Sequence, residues 1–124
     1  MTPREVARSY WDAETKRDLD AVMEHYHEDA VLWAGPASFS GHAEIRSFYE
    51  QSAAEYPGIE RVTITRDITN GNEAAVEWES VMIDPAGERH PLRGTNLVVI
   101  EDGRFREVHS YYDPASLTET LGIR

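Results

Sequence analysis

Ala74-Ala75-Val76-Glu77-Trp78-Glu79-Ser80-Val81-Met82-Ile83 is the stretch on which the fold turns. Val76, Trp78, Ser80 and Met82 recur at every second position, with Glu77 and Glu79 between them. That period is the mark of a strand with one covered face. Asn70-Gly71 precedes the stretch and Asp84-Pro85-Ala86-Gly87 follows it, and both are turn signals. Residues 59–69 alternate weakly through Val62, Ile64 and Ile68. Residues 91–100 form a further strand, with Asn96, Val98 and Ile100 on one face. Glu101-Asp102-Gly103 is a tight connection into a returning strand over 104–112, which Asp113-Pro114 closes. The second half of the chain is therefore an antiparallel meander.

The last hairpin admits two registers. With a glycine bulge in the turn, Ile100 pairs with Arg104 and Asn96 lies opposite Val108. Val108, Ser110 and Tyr112 then share the inner face and His109 points out. A plain two-residue turn sets Asn96 opposite His109, and His109 with Glu107 becomes an inward acid–base pair, because a slip of one residue exchanges the faces.

The first half has a helical period. Thr2-Pro3-Arg4-Glu5 reads as a capping box with proline at the first helical position. Val6, Tyr10, Ala13 and Arg17 follow on one face, with Ala7 and Trp11 beside it. Asp18 reads as a second cap, and Leu19, Val22, Met23 and Tyr26 continue at helical spacing, with His25 and His27 flanking Tyr26. Ala30-Val31-Leu32-Trp33-Ala34 is a short strand, ended by Gly35-Pro36, and residues 35–41 read as a loop. From about His42, the residues Ile45, Phe48, Tyr49, Ser52, Ala53 and Tyr56 mark a third helix, which Pro57-Gly58 stops. Helices followed by a one-faced sheet describe an α+β domain in which the helices cover the sheet. A chain of 124 residues suits one such domain, spanning 1–124. The tail after Pro114 either lies on the barrel or frays.

Composition removes several classes of function. Without cysteine there are no disulfides, no thiolate chemistry and no cysteine-ligated zinc. With 12 Lys and Arg against 23 Asp and Glu, the net charge is −11 and no basic face is available for a nucleic acid or an anionic membrane. No apolar run approaches the length of a spanning helix. The first residues have neither an apolar signal core nor a transit-peptide pattern, so a cytoplasmic protein is expected. No HExxH or other metal spacing occurs, and neither a metal nor a cofactor is expected.

The order of elements and several local strings resemble the nuclear transport factor 2-like superfamily, in its SnoaL-like and ketosteroid isomerase-like branches. The strings are Asp18-Leu19-Asp20-Ala21-Val22, Tyr26-His27-Glu28-Asp29-Ala30-Val31, and Ser40-Gly41-His42-Ala43-Glu44-Ile45-Arg46-Ser47-Phe48-Tyr49. To these add Glu73-Ala74-Ala75-Val76, and Asp102-Gly103-Arg104-Phe105 through Tyr111-Tyr112-Asp113-Pro114. The resemblance covers about residues 5 to 114 and implies a cone-shaped, strongly curved mixed or antiparallel sheet wrapped around the N-terminal helices, with an internal pocket. On this sequence the implied pocket residues are Tyr10, Tyr26, Leu32, Ala34, Tyr49, Val76, Trp78, Ser80, Met82, Asn96, Val98, Val108, Ser110 and Tyr112. Sheet-to-sheet dimers are implied as well, and Val81, Thr95, Leu97 and Val99 would form an apolar outer face for a homodimer.

Three residues are the catalytic candidates. Tyr10, with Tyr26 and Tyr49, matches positions where some ketosteroid isomerases carry a hydrogen-bonded tyrosine network, and a buried phenol can donate to a developing oxyanion. Asn96 stands where the isomerase has a protonated aspartic acid; its amide can donate a hydrogen bond but cannot transfer a proton. Tyr10 and Asn96 are expected to converge on one ligand oxygen. His109 is the third, as a base on the slipped register. His42 could hang over the pocket mouth, and Asp113 could tie down the end of the sheet. The isomerase general base falls on Ala34, so the usual isomerase route lacks its carboxylate. Ser110 matches an acidic position of limonene epoxide hydrolase-like members and has no evident base partner. Three functions stay open on this scaffold. One is an enzyme of isomerase, cyclase or dehydratase type acting on a small hydrophobic carbonyl or polyketide-like compound through enolate chemistry. The others are a non-catalytic small-molecule-binding domain and a dimerisation module, for which a solid core would be the sign.

Overall fold

The computed structural model describes residues 1–113, and the tail after Pro114 lies outside the described residues. The elements run α1 (Pro3–Thr15), α2 (Leu19–Glu24), β1 (Tyr26–Ala34), β2 (Ala37–Ser40), α3 (Gly41–Glu55), β3 (Gly58–Asn70), β4 (Glu73–Ile83), β5 (Arg89–Glu101) and β6 (Arg104–Asp113). Six strands form one curved, unclosed sheet in the order β2-β1-β6-β5-β4-β3. All neighbours are antiparallel except β1 and β6, which run parallel. The sheet is therefore mixed, and the helices cover its inner face.

The capping box forms as the sequence predicts. Thr2 accepts the Glu5 backbone N–H and Glu5 accepts the Thr2 N–H. Val6, Ala7, Tyr10, Trp11 and Ala13 of α1 are buried, and the core continues through Val22, Met23, Ile45 and Tyr49 to the inner faces of β4, β5 and β6. Between α1 and α2 the chain turns at Arg17, which has a left-handed φ of 53°. The Arg17 N–H donates to the Glu14 carbonyl and the Asp18 N–H to the Ala13 carbonyl. This is a Schellman closure with Arg17 at the position that usually holds glycine. Asp18 then caps α2 through the Ala21 N–H.

Three expectations are corrected. Tyr26 is not on the second helix: α2 stops at Glu24, His25 is its cap, and Tyr26 opens β1 opposite Phe105. Residues 35–41 are not simply a loop, because Ala37–Ser40 pairs back onto β1 across Gly35-Pro36, with Ala34 opposite Ala37. The last hairpin takes neither proposed register. Its turn has two residues, Asp102 and Gly103, both at positive φ as a primed turn requires. Glu101 pairs with Arg104 and Ile100 with Phe105, but the register then shifts so that Val99 pairs with Glu107 and Asn96 with Ser110. The extra residue, Arg106, sits in the strand and not in the turn. One bulge restores the parity of the bulged-turn reading, so Val108 faces inward and His109 outward.

Close approach at Gly94 sets the wall of the cone. A Cβ there would lie 2.3 Å from the Tyr111 carbonyl oxygen and 2.8 Å from the Trp78 ring. Trp78, opposite Gly94 on β4, can therefore lie across β5.

Candidate functional site

The cone encloses a cavity of about 490 Å³ with a mostly apolar wall. Tyr10, Trp11, Glu14 and Arg17 form its helical side. Leu32, Ala34, Trp78, Ser80, Met82, Asn96, Val108 and Ser110 form the sheet side, and Tyr49 enters from α3. Tyr112 is 40% exposed and lies on the wall as well. Three of the expected pocket residues belong elsewhere. Tyr26, Val76 and Val98 are buried in the core and do not line the cavity.

The polar groups of the helical side form one chain. The Tyr10 hydroxyl donates to Glu14 Oε2 at 2.9 Å and lies 2.7 Å from the Tyr49 hydroxyl, which lies 2.6 Å from that of Tyr26. The carboxylate sets the direction. Because Tyr10 spends its proton on Glu14, Tyr49 must donate to Tyr10 and Tyr26 to Tyr49. All three hydroxyls are buried, and burial pushes each phenol above its ordinary pKa, strongly for Tyr10 and Tyr49. They remain neutral donors.

Glu14 is the group that the sequence reading missed. It is 6% exposed. Its Oε1 accepts from Arg17 Nη1 at 2.5 Å. Burial raises its pKa above the ordinary 4.5, while the Arg17 charge and the Tyr10 hydroxyl oppose the rise. The signal was present in the sequence: Glu14 follows Tyr10 by four residues and precedes Arg17 by three, so all three extend the apolar face of α1. A carboxylate thus reaches the cavity wall from α1, while Ala34 on the sheet offers none.

Asn96 does not pair with Tyr10. Its Oδ1 accepts the Trp78 indole N–H at 3.0 Å. That bond orients the amide, so Asn96 presents its N–H group as a donor. Ser110 lies directly across the β5–β6 pair from it. Ser80 donates to Met82 Sδ at 3.6 Å. Tyr10 and Asn96 line the same cavity with different partners, Glu14 for the Tyr10 proton and Trp78 for the Asn96 oxygen, which leaves an acceptor, Glu14, on the helical side and a donor, Asn96, on the sheet.

His109 is withdrawn as a catalytic candidate. It stacks on Trp33 at 4.2 Å and 11° on the outer face, with Glu107 at 3.3 Å, and does not line the cavity. His42 is likewise absent from the cavity wall; its Nε2 meets the Tyr26 carbonyl at 2.8 Å. His25 bridges Ser9 and the Ala21 carbonyl, and His27 meets the Glu101 carbonyl. His90 lines the cavity beside Tyr56 and bonds Asp84 at 2.9 Å. Asp84, Glu88 and His90 bring ligand atoms within 4.8 Å of one another. Asp84 is already committed there: Oδ1 accepts the Ala86 and Glu88 N–H groups and Oδ2 meets His90, which lowers its pKa. The cluster holds the turn into β5.

With the cone, its cavity and its polar ends in place, comparison with known proteins settles the lineage. The SnoaL-like domain family matches residues 7–108. The chain belongs to the SnoaL-like family. No curated protein matches it. Among solved structures, this chain is similar to a protein with a ketosteroid isomerase-like fold from Catenulispora acidiphila in complex with trimethylamine. Identity is 18%, with 100% of this chain and 96% of that one covered and a TM-score of 0.83. TerC, co-crystallized with polyporic acid, is 16% identical over 96% of this chain and 97% of its own, at a TM-score of 0.80. A proposed polyketide cyclase from Sinorhizobium meliloti is 22% identical over 86% and 93%, at 0.72. At these identities the likeness is one of fold. SnoaL-like members share the cone, and what each does rests on its own cavity residues.

Proposed function

We propose that the cavity binds a small, mostly apolar organic molecule bearing a carbonyl, and that Glu14 moves a proton on it. The observation that carries this reading is Glu14 itself: a buried carboxylate on the wall of an apolar cavity, with its pKa raised by that burial. A base is most effective when its pKa lies near the working pH, and burial moves Glu14 in that direction. A proton on the carbon next to the carbonyl passes to Glu14, and the electron pair of that C–H bond shifts to leave an enolate. The Asn96 amide N–H donates to the enolate oxygen and Trp78 holds the amide in place. Glu14 then returns the proton at a different carbon, which is isomerisation; or the enolate carbon attacks a second carbonyl of the same molecule, or expels a hydroxyl from the next carbon, and Glu14 gives its proton to the new alkoxide or to the departing hydroxyl, which leaves as water. Tyr10 does not donate to the substrate in this scheme; it steadies the carboxylate. Trimethylamine and polyporic acid in the neighbouring structures support a cavity for small organic molecules. No helix among the described residues is long and apolar enough to cross a membrane, and a cytoplasmic setting belongs to the proposal.

A second reading has its own observation. Both Glu14 oxygens already hold protein partners, which also fits a non-catalytic binding domain with an internal ion pair. A cavity of this size speaks against a module that only packs and dimerises. Proton exchange separates the two that remain. Small cyclic and aromatic ketones are incubated with the protein in D2O, and the protons next to the carbonyl are followed by NMR. Catalysis predicts exchange that Glu14→Gln slows by about 10²–10⁴-fold. Ketones that bind without exchanging, in wild type and variant alike, would establish the binding domain instead.

A further inference from the structure

We infer that Arg17 is a positioning residue whose guanidinium keeps Glu14 ionised and aimed into the cavity, so that it sets the pH range in which the site works. The inference deepens the reading of Glu14 as the proton acceptor, and its first test needs no substrate. The helix closure itself gives no reason for an arginine. Arg17 sits at the residue of a Schellman turn where glycine is favoured, and it accepts a left-handed φ of 53° that its Cβ disfavours. Its side chain is 11% exposed, and its Nε is buried with no hydrogen-bond partner. A strained backbone and an unpaired buried donor are two costs at one residue, of a kind that gathers at functional sites.

The rest of the side chain shows what is gained. Nη1 donates to Glu14 Oε1 at 2.5 Å. Nη2 donates to the carbonyls of Ser52 at 3.3 Å and Tyr56 at 2.5 Å, at the C-terminal end of α3. The fork is thus fixed from one side by α3 and grips the carboxylate with the other. Arg17 and Glu14 both lie on the cavity wall. Among the described residues, few titratable groups face the carboxyl. Tyr10 comes from α1 and Tyr49 and Tyr26 continue from it, all held neutral by burial. Glu55 of α3 and His90 of β5 stand elsewhere on the same wall. Among the described residues, Arg17 is the one permanent cation in direct contact with Glu14. A neutral side chain in its place would leave the carboxyl to the effect of burial.

The experiment follows the Glu14 carboxyl by ¹³C NMR titration in the ligand-free protein, in wild type, Arg17→Gln and Arg17→Lys. Glutamine keeps donors for the α3 carbonyls but removes the charge; lysine keeps the charge. The inference expects the Glu14 midpoint to rise by about 1–3 pH units in Arg17→Gln and to stay nearer wild type in Arg17→Lys. In the ketone exchange assay the acid limb of the pH profile should move up by the same amount in Arg17→Gln. An unchanged Glu14 midpoint in folded Arg17→Gln overturns the inference, whatever the exchange assay shows. A shifted midpoint without any exchange in wild type supports the Arg17 role and counts against the catalytic reading. If Arg17→Gln does not fold at pH 7, the double variant with Glu14→Gln decides. Recovery of folding shows that the damage was an unpaired carboxylate. Failure to recover makes Arg17 only a tie between helices and overturns the inference.

Discussion

The direction of the tyrosine chain can be tested through stability alone. Protons point from Tyr26 to Tyr49, from Tyr49 to Tyr10, and from Tyr10 to Glu14. Each Tyr→Phe change therefore removes something different. Tyr26→Phe deletes the terminal donor and strands no proton, so it costs about one net hydrogen bond, about 0.5–1.5 kcal/mol. Tyr49→Phe removes the acceptor for the Tyr26 hydroxyl, which is 1% exposed and has no water to turn to. The stranded donor adds about 1–3 kcal/mol. Tyr10→Phe strands the Tyr49 proton and also takes a charge-assisted bond, about 1.5–3 kcal/mol, from Glu14. The expected order of destabilisation is Tyr26 least, then Tyr49, then Tyr10, and the largest is a substantial share of the whole stability of a small domain. The Tyr26→Phe, Tyr49→Phe double variant should cost no more than Tyr49→Phe alone, and less by the share of the stranded donor, because that donor has gone. Urea unfolding at pH 7, with an unchanged dependence on denaturant, measures all four. A Tyr26→Phe cost equal to or above that of Tyr49→Phe, or a strictly additive double variant, would refute the direction.

Two further predictions follow from the same structure. The raised Glu14 pKa gives a stabilising contribution that is complete below the unfolded value of 4.5 and is lost as pH rises through the folded value, since the native state binds the extra proton in between. The stability of Glu14→Gln relative to wild type should therefore climb across that window and then level off, by about 1.4 kcal/mol for each pH unit of the rise; urea unfolding from pH 4 upward reads it, and a flat difference would contradict the buried carboxylate. We also propose a homodimer through the outer face, where Trp33, His109 and Leu97 are consecutive partners across β1, β6 and β5, with Leu97 at 43% exposure and Tyr111 at 58%. Light scattering at micromolar concentration should give twice the chain mass, Leu97→Glu should lower it, and a monomeric wild type would count against the proposal.

Most of the architecture was legible because local signals agreed with one another. The capping box at Thr2, the break at Arg17-Asp18 and the alternation through Val76, Trp78 and Ser80 all appear where the sequence places them. The misreadings have particular causes. Tyr26 stands four residues after Val22, and that spacing alone extends a helix; what ends it is pairing with Phe105, a partner far along the chain. The Arg106 bulge has no glycine or turn residue to announce it, and its place is set by the pairing of β6 with β1 on one side and β5 on the other.

Glu14 was missed for a different reason, and it bears on how sites on this scaffold are found. A glutamate on a helix is by default a solvated residue. The resemblance placed the base on the first strand, at Ala34, and there the position is empty of any acid. Both lines of reading therefore ended in a pocket without a carboxylate. Yet the sheet and the helices surround one cavity, and a carboxylate delivered from α1 lines it as fully as one delivered from β1. What such a carboxylate needs is compensation for its burial, and that compensation has a sequence pattern: a tyrosine four residues before it on the same face and an arginine three residues after it. Tyr10, Glu14 and Arg17 carry that pattern, and the structure joins all three. On a fold whose members exchange functions by exchanging wall residues, the search for a base should therefore follow the buried partners of a charge, Tyr10 and Arg17 here, before it follows a position in the strand order.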